Sequence, residues 1–429
     1  MSRGPQSLLA LPQLLSREAC KAVFEKVASF TQGGGETIVT IVQQAVGEAT
    51  WVRNRMHIAS EISTMQLRVQ RRVRSAFGWS ETTQLDDEGL QQVVRDAEYM
   101  VHYDDESPEH LSDPFIDEPI LHPTLWSDAT TGVDATARTD LVQTLIAPAE
   151  AAGLQSTGSL KICAEANATI SSQGLFRCYP TTEVECSMTV RHPHGTASGW
   201  AGVNHFDLSR IDTTALAARA LDLCQRSANP VAIEPGRYTV ILSPQATADF
   251  VASLVEMTLD RINAEKPAGP FAGPMPGTSK ITERVMDPRL VLRADPMDRD
   301  GGFLPYDRYL GDPYQPVNWI DHGILRELAY PRPYALKYLG MDHALLNPDP
   351  HAFRLMPAAG VSTATVDQMI AHTERGLLIT RLHGVQCIDL ESVLCTGYTR
   401  DGVWLIENGK ISKPVKNFRF TESPLFAFN

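Results

Sequence analysis

Two groups of residues have types and spacings that could do chemistry. The first is Arg191-His192-Pro193-His194, followed by His205-Phe206-Asp207. Residues two apart on a strand share a face. A hairpin could therefore converge His192, His194, His205 and Asp207 as imidazole and carboxylate ligands of a metal ion. The second group is His383 and Cys387, with Cys395-Thr396 shortly after. A thiol or hydroxyl becomes a useful nucleophile beside a base, and His383 would be that base. His383 and Cys387 share a face if the segment is a strand, but lie ~13 Å apart along it. That separation favours core packing for Cys387. Histidines near glycine turns read more simply as surface loop than as ligands. The expectation is no metal and no cofactor, with His383, Cys387, Cys395 and Thr396 the candidates if a catalytic group exists.

The elements around these groups follow from periodicity. Arg17 to Phe30 reads as a helix stopped by Gly33-Gly34-Gly35, and Glu36 to Gln43 turns β-like. Leu90, Val93, Val94, Ala97 and Val101 make a one-faced helix. The stretch from Tyr103 to Pro123, rich in Asp, Glu, His and Pro, reads as a loop. A helix from about Ala137 to Ala152 ends at Gly153. Two alternating strands follow, one with Leu160, Ile162 and Ala164 on a face, the other with Val184, Cys186, Met188 and Val190. The turn Ser171-Ser172-Gln173-Gly174 lies between them. Asp212 caps a helix running to Arg226. Two prolines and a glycine between Asn229 and Gly236 mark a boundary, giving domains 1–230 and 231–429. The second domain opens with a strand, Arg237 to Leu242. Ser243-Pro244 then starts a helix whose buried stripe holds Val251, Leu254, Val255, Thr258 and Ile262. Residues 267–280, rich in Gly and Pro, form a long loop. A last helix, from about Ala364 to Glu374, ends at Gly376.

Composition sets limits on what such a chain can do. At 429 residues it is long enough for two domains, and 43% hydrophobic with 21% charged residues is ordinary globular composition. A net charge of -13 argues against nucleic-acid binding, which needs a basic surface. The run Arg68, Arg71, Arg72, Arg74 reads as a solvated strand face. No stretch has the ~20 apolar residues of a membrane helix, and the start lacks the apolar core of a signal peptide. The expected location is the cytoplasm. Seven scattered cysteines with no CxxC pattern read as reduced thiols.

Three segments carry a resemblance. EPGRYTVILSPQATADFVASLV (234–255), PYDRYLGDPYQPVNWIDHGILRELAYPRPYA (305–335) and TGYTRDGVWLIENGKISKPVKNFRFTESPL (396–425) resemble stretches of the TldD/PmbA peptidase family. The ENGK block is the most specific of them. The resemblance implies an α+β fold of two domains, with mixed and antiparallel sheets plus helices. It also implies a dimer whose cleft holds an extended peptide. TldD-type members carry an HExxxH zinc motif; TldE (PmbA)-type members lack it and pair with a TldD chain.

Zinc peptidase chemistry needs close His ligands and a carboxylate to take a proton from the bound water. In the family these lie on the helix after the first strand of the C-terminal domain. That helix here, Ala248 to Met257, has no histidine, and no His-Glu pair occurs anywhere in the sequence. The family's distal tail, with a further cysteine ligand in TldD-type members, also has no counterpart before Asn429. The chain is identified as a zinc-free, TldE-like member, expected to act in peptide-bond hydrolysis as partner of an HExxxH-bearing chain. Alone it would lack zinc-peptidase activity. The alternative is a homodimeric, metal-independent amide hydrolase that acts on a small acylated or peptidyl intermediate of natural-product biosynthesis.

Overall fold

Alternation in the N-terminal half becomes very long strands. In this computed structural model, residues 16–74, 76–103, 123–266, 269–301, 303–331, 334–341, 344–346 and 352–429 are described. Six strands build one sheet: β1 (Glu36–Val52), β2 (Arg55–Val73), β3 (Ala76–Thr82), β4 (Gln155–Ser171), β5 (Phe176–Arg191) and β6 (Ser198–His205). Their order is β3-β2-β1-β4-β5-β6, and every neighbouring pair is antiparallel. Helices α1 (Arg17–Phe30), α2 (Asp87–Val101), α3 (Asp128–Thr131), α4 (Ala135–Ala151) and α5 (Thr213–Arg226) accompany it. Four of the five start alike. The side chains of Ser16, Asp86, Asp134 and Asp212 each accept a hydrogen bond from a first-turn N–H that has no partner within the helix.

These helices cover one face of the sheet. Val39, Ile41, Leu67, Val69, Ala168 and Ile170 pack against Leu90, Val93, Val94 and Ala97 of α2. Toward the other end, Leu160, Ile162, Val184, Cys186 and Met188 pack against Val142, Leu145 and Ile146 of α4 and Leu216 and Ala220 of α5. The alternating strands and the Asp212 cap match the sequence reading. β1, however, runs nine residues beyond Gln43, to Val52.

The arginine run departs from its expected solvated face. Arg74 is exposed, but Arg71 and Arg72 are buried. Alternation sends them to opposite faces. Arg71 lies under the helices, where it donates to Thr37 Oγ1 and to the carbonyls of Gln32 and Gly34. Its Nε sits 3.2 Å from Glu98 of α2. Arg68 serves the other face.

The C-terminal half has short strands around one long helix, with shorter helices beside it. The strands are β7 (Thr239–Leu242), β8 (Leu290–Ala294), β9 (Val317–Asp321), β10 (Ile324–Leu325), β11 (Phe353–Pro357), β12 (Arg375–Ile379), β13 (Leu382–Asp389), β14 (Leu394–Thr399), β15 (Val403–Glu407), β16 (Lys410–Pro414) and β17 (Arg419–Glu422). They form sheets β10-β9-β8-β11, β16-β15-β12-β7 and β13-β14-β17. The β7–β12 pair is parallel, so the second of these is mixed. Helix α6 (Pro244–Thr258) starts as its sequence announces, with Ser243 capping Ala246 N–H and Pro244 at the first position. Its Phe250, Val251, Leu254 and Val255 join Trp319, Ile320, Leu377 and Cys395 in the C-terminal core.

The final sequence-predicted helix is shorter than expected, Val366–Ala371, with a capping box between Thr365 and Gln368. Gly376, expected as its stop, lies instead inside β12, where a Cβ would approach the Thr239 carbonyl to 2.7 Å. Described residues of the 267–280 loop form neither helix nor strand. Most of the 103–123 loop lies outside the described residues. The whole is an α+β fold of antiparallel and mixed sheets with helices. Among the described residues no helix is long and apolar enough to cross a membrane.

Candidate functional site: a polar cleft

The face of the six-stranded sheet opposite the helices is polar. On β4 it carries Cys163, Glu165, Asn167 and Thr169, the residues between the apolar ones of the other face. Register sets Gln44 of β1 and Thr181 of β5 beside Glu165, and Glu183 beside Cys163. Across this floor lies a cleft of about 1020 Å³. Its walls come from residues 299–301, 303–304 and 306–309 and from Gln245 and Ala248 at the start of α6.

The segment 303–314 of the C-terminal half is fastened onto the sheet by polar contacts. Arg308 Nη2 donates to Glu165 Oε1 at 2.6 Å, while the Arg308 carbonyl accepts from Thr169 Oγ1 at 2.6 Å. Gln70 donates to the Tyr309 carbonyl at 2.7 Å, and the Arg68 guanidinium lies 3.7 Å over the Tyr309 ring. Tyr306 is buried and donates to the Asn167 carbonyl at 3.2 Å. Gly311 closes the segment at φ +76°, where a Cβ would also strike Leu175 at 2.5 Å. Only glycine satisfies both conditions.

Electrostatics in the cleft are shaped by burial. Burial pushes the Glu165 carboxyl above its usual range, Arg308 pulls it back, and neighbouring Glu183 adds to the rise. The Cys163 thiol is pushed up to about 11, first by burial and then by Glu165, so it stays protonated at neutral pH. Asp249 on α6 is also raised by burial. Hydrogen bonds from Leu382 N–H at 2.9 Å and Gln245 Nε2 at 2.8 Å oppose that rise. The cleft can therefore hold polar main chain and cationic groups. Asn204 donates to Glu183 Oε1 at 2.7 Å.

The possible metal ligands are not brought together. His192 and His194 lie in the exposed turn between β5 and β6, whereas His205 ends β6 at the far side of the hairpin. Seven residues of strand separate the two ends, roughly 23 Å. His205 Nδ1 instead accepts from Asp207 N–H at 2.9 Å, and its Nε2 faces Asp300 at 3.8 Å on the cleft rim. Asp207 caps the turn 208–210, and its hydrogen bonds from Ser209 hold it below the usual carboxylate range. Among the described residues no three His, Cys, Asp or Glu side chains are grouped to hold a metal.

The second group meets differently from its sequence reading. His383 pairs with Tyr398 of β14 and Cys387 pairs with Cys395, with a register shift between His383 and Gln386. Tyr398 and Cys395 are three apart, so they face opposite sides of β14, and their partners do too. The bulge therefore corrects the shared-face reading: His383 is exposed while Cys387 packs against the core. Thr396 is buried, with Oγ1 donating to the Phe420 carbonyl at 2.9 Å and accepting from Arg419 Nε at 2.9 Å.

Glu165, Glu183, Gln245 and Arg308 escaped the sequence reading. The signal was present as polar residues alternating along β4 and β5, but such a face reads as solvent-facing. Nothing local announces that residues 303–314 fold over it.

A polar cleft thus lies between the helix-backed antiparallel sheet and the segment and helix of the C-terminal half. Residues 235–429 match the family model described as the PmbA/TldA metallopeptidase C-terminal domain. That part of the chain belongs to the TldD/PmbA family, as its motifs indicated. Similar crystal structures include a candidate modulator of a DNA gyrase from Thermotoga maritima (TM-score 0.81, 14% identity, 95% of this chain and 92% of that one). Another candidate gyrase modulator, from Bacteroides thetaiotaomicron, has a TM-score of 0.80 at 16% identity, covering 97% of this chain and 93% of the other. TldE from Thermococcus kodakarensis gives 0.79 at 15% identity, covering 95% and 92%. At these identities the likeness is one of fold. No curated protein matches the chain.

Proposed function

We propose that this chain is a zinc-free, TldE-like subunit that shapes a peptide-holding cleft for an HExxxH-bearing, TldD-like partner. The observation that carries this reading is the composition of α6. The helix borders the cleft through Gln245 and Ala248, in the place where the family's zinc motif belongs, yet it contains no histidine. The division into domains at residues 230 and 231 is part of the same reading. It is supported by the six-stranded sheet ending at His205 and the C-terminal strands starting at Thr239.

An extended peptide would bind mainly by main-chain hydrogen bonds, with the polar floor around Glu165 and Glu183 as its bed. The reading places the protein in the cytoplasm and gives it neither nucleic acid nor membrane as partner. The test is co-purification with an HExxxH relative from the same genome, with zinc content and peptidase activity measured on each chain and on the mixture. Zinc and activity confined to the mixture are the expected result. A tight homodimer that hydrolyses small amides without metal would overturn it in favour of a stand-alone hydrolase.

A further inference from the structure

Two thiols singled out by the sequence find no role in the cleft, yet the fold sets them opposite each other. Cys387 on β13 and Cys395 on β14 are register partners, and both side chains belong to the C-terminal core. Directly opposite antiparallel residues have Cα atoms about 4.5–5.5 Å apart. That falls inside the roughly 4.4–6.8 Å that disulfides span. Both cysteines are free, Cys395 buried and Cys387 half-buried. Register shifts flank Cys387 on both sides, so the strand is already bent and can adjust as a bond forms.

We propose that Cys387 and Cys395 form a reversible dithiol–disulfide pair oxidised by a hydroperoxide. The more accessible Cys387 sulfur attacks the peroxide, takes one oxygen as sulfenic acid and releases an alcohol, or water from hydrogen peroxide. The Cys395 sulfur then attacks the Cys387 sulfur, forming the disulfide and releasing that oxygen as water. Two thiols lose two electrons and two protons, and one O–O bond is reduced. Burial raises the Cys395 thiol above its usual range and withholds it from the first step. It suits the resolving role, where its neighbour is already in place.

The pair adjoins α6. Cys395 has Ser253 of that helix as a neighbour, and Leu382 at the start of β13 donates to Asp249. Oxidation would therefore staple the hairpin that holds the cleft-lining helix.

The test uses the full-length chain treated with hydrogen peroxide, with remaining thiols alkylated under denaturing conditions before tryptic digestion. Cleavage after Arg381 and Arg400 puts both cysteines, and no others, on one peptide. The expected product is that peptide about 2 Da lighter than its reduced form and unalkylated, restored by dithiothreitol. Cys387→Ser abolishes it, and Cys178→Ser at an exposed cysteine leaves it unchanged. Recovery of the peptide alkylated at both sites while Cys178 is oxidised would overturn the proposal. So would sulfinic or sulfonic acid at Cys387 with no disulfide. Because Cys387 is only half-buried, its serine variant is the one to check for an unchanged melting temperature before oxidation.

Discussion

The two faces of the six-stranded sheet come from the same strands and do different work. On β4, Leu160, Ile162, Ala168 and Ile170 look into the helices, while Cys163, Glu165, Asn167 and Thr169 look toward the cleft and the segment laid over it. The first face stabilises by removing apolar surface from water, a non-directional effect that tolerates any well-fitting side chain. The second is joined by directed polar contacts, each needing its partner. The arginine run makes the contrast within a few residues: Arg71 is locked among carbonyls and Glu98 under the helices, and Arg68 stacks on Tyr309 across the other face.

Substitutions that separate the two faces should rank as follows. Arg71→Ala is expected to cost the most, about 4 kcal/mol in urea unfolding, because it removes a fully buried guanidinium from Glu98, Thr37 and the carbonyls of Gln32 and Gly34. Ile162→Ala, on the same face, should cost about 3 kcal/mol through lost burial and the cavity left behind. If it costs under about 1 kcal/mol, the helix face is not the main source of stability.

On the cleft face, Arg308→Ala should cost about 2 kcal/mol by leaving Glu165 buried and unpaired. The Glu165 carboxyl should then titrate higher still, readable by NMR. Asp249→Asn tests the support of Gln245, which lines the cleft. Asp249 is raised in the folded state, so its contribution is fully present below the ordinary aspartate range, near pH 4, and is lost as pH rises through the folded value. The asparagine variant still offers an oxygen to Leu382 N–H. Relative to the parent it should gain stability from pH 4 to pH 7; an unchanged difference would show that Asp249 is not penalised by burial. Glu183→Gln should matter least, under about 0.5 kcal/mol, since Asn204 can still donate to the amide oxygen.

Much of the scaffold was legible. Asp212 and the Ser243-Pro244 pair announced their helices because capping is satisfied by neighbours in the chain. Alternation in β4 and β5 announced strands and which side was apolar. The site was far less legible. The bulge between His383 and Gln386 separated two residues that strand periodicity placed together, and a bulge has no reliable sequence mark where Gly384 could equally have meant a turn. The four arginines looked like a solvated face because charge suggests water until partners are known.

Sequence alone determined the local elements, the apolar face of the main sheet, the family of residues 235–429 and the absence of a His-Glu pair. These depend on residue type and near-neighbour spacing. Tertiary structure decided that residues 303–314 lie across β1, β2 and β4, that His205 stands a strand's length from His192, and that Cys387 meets Cys395. Each is a contact between segments whose separation along the chain carries no information about their separation in space.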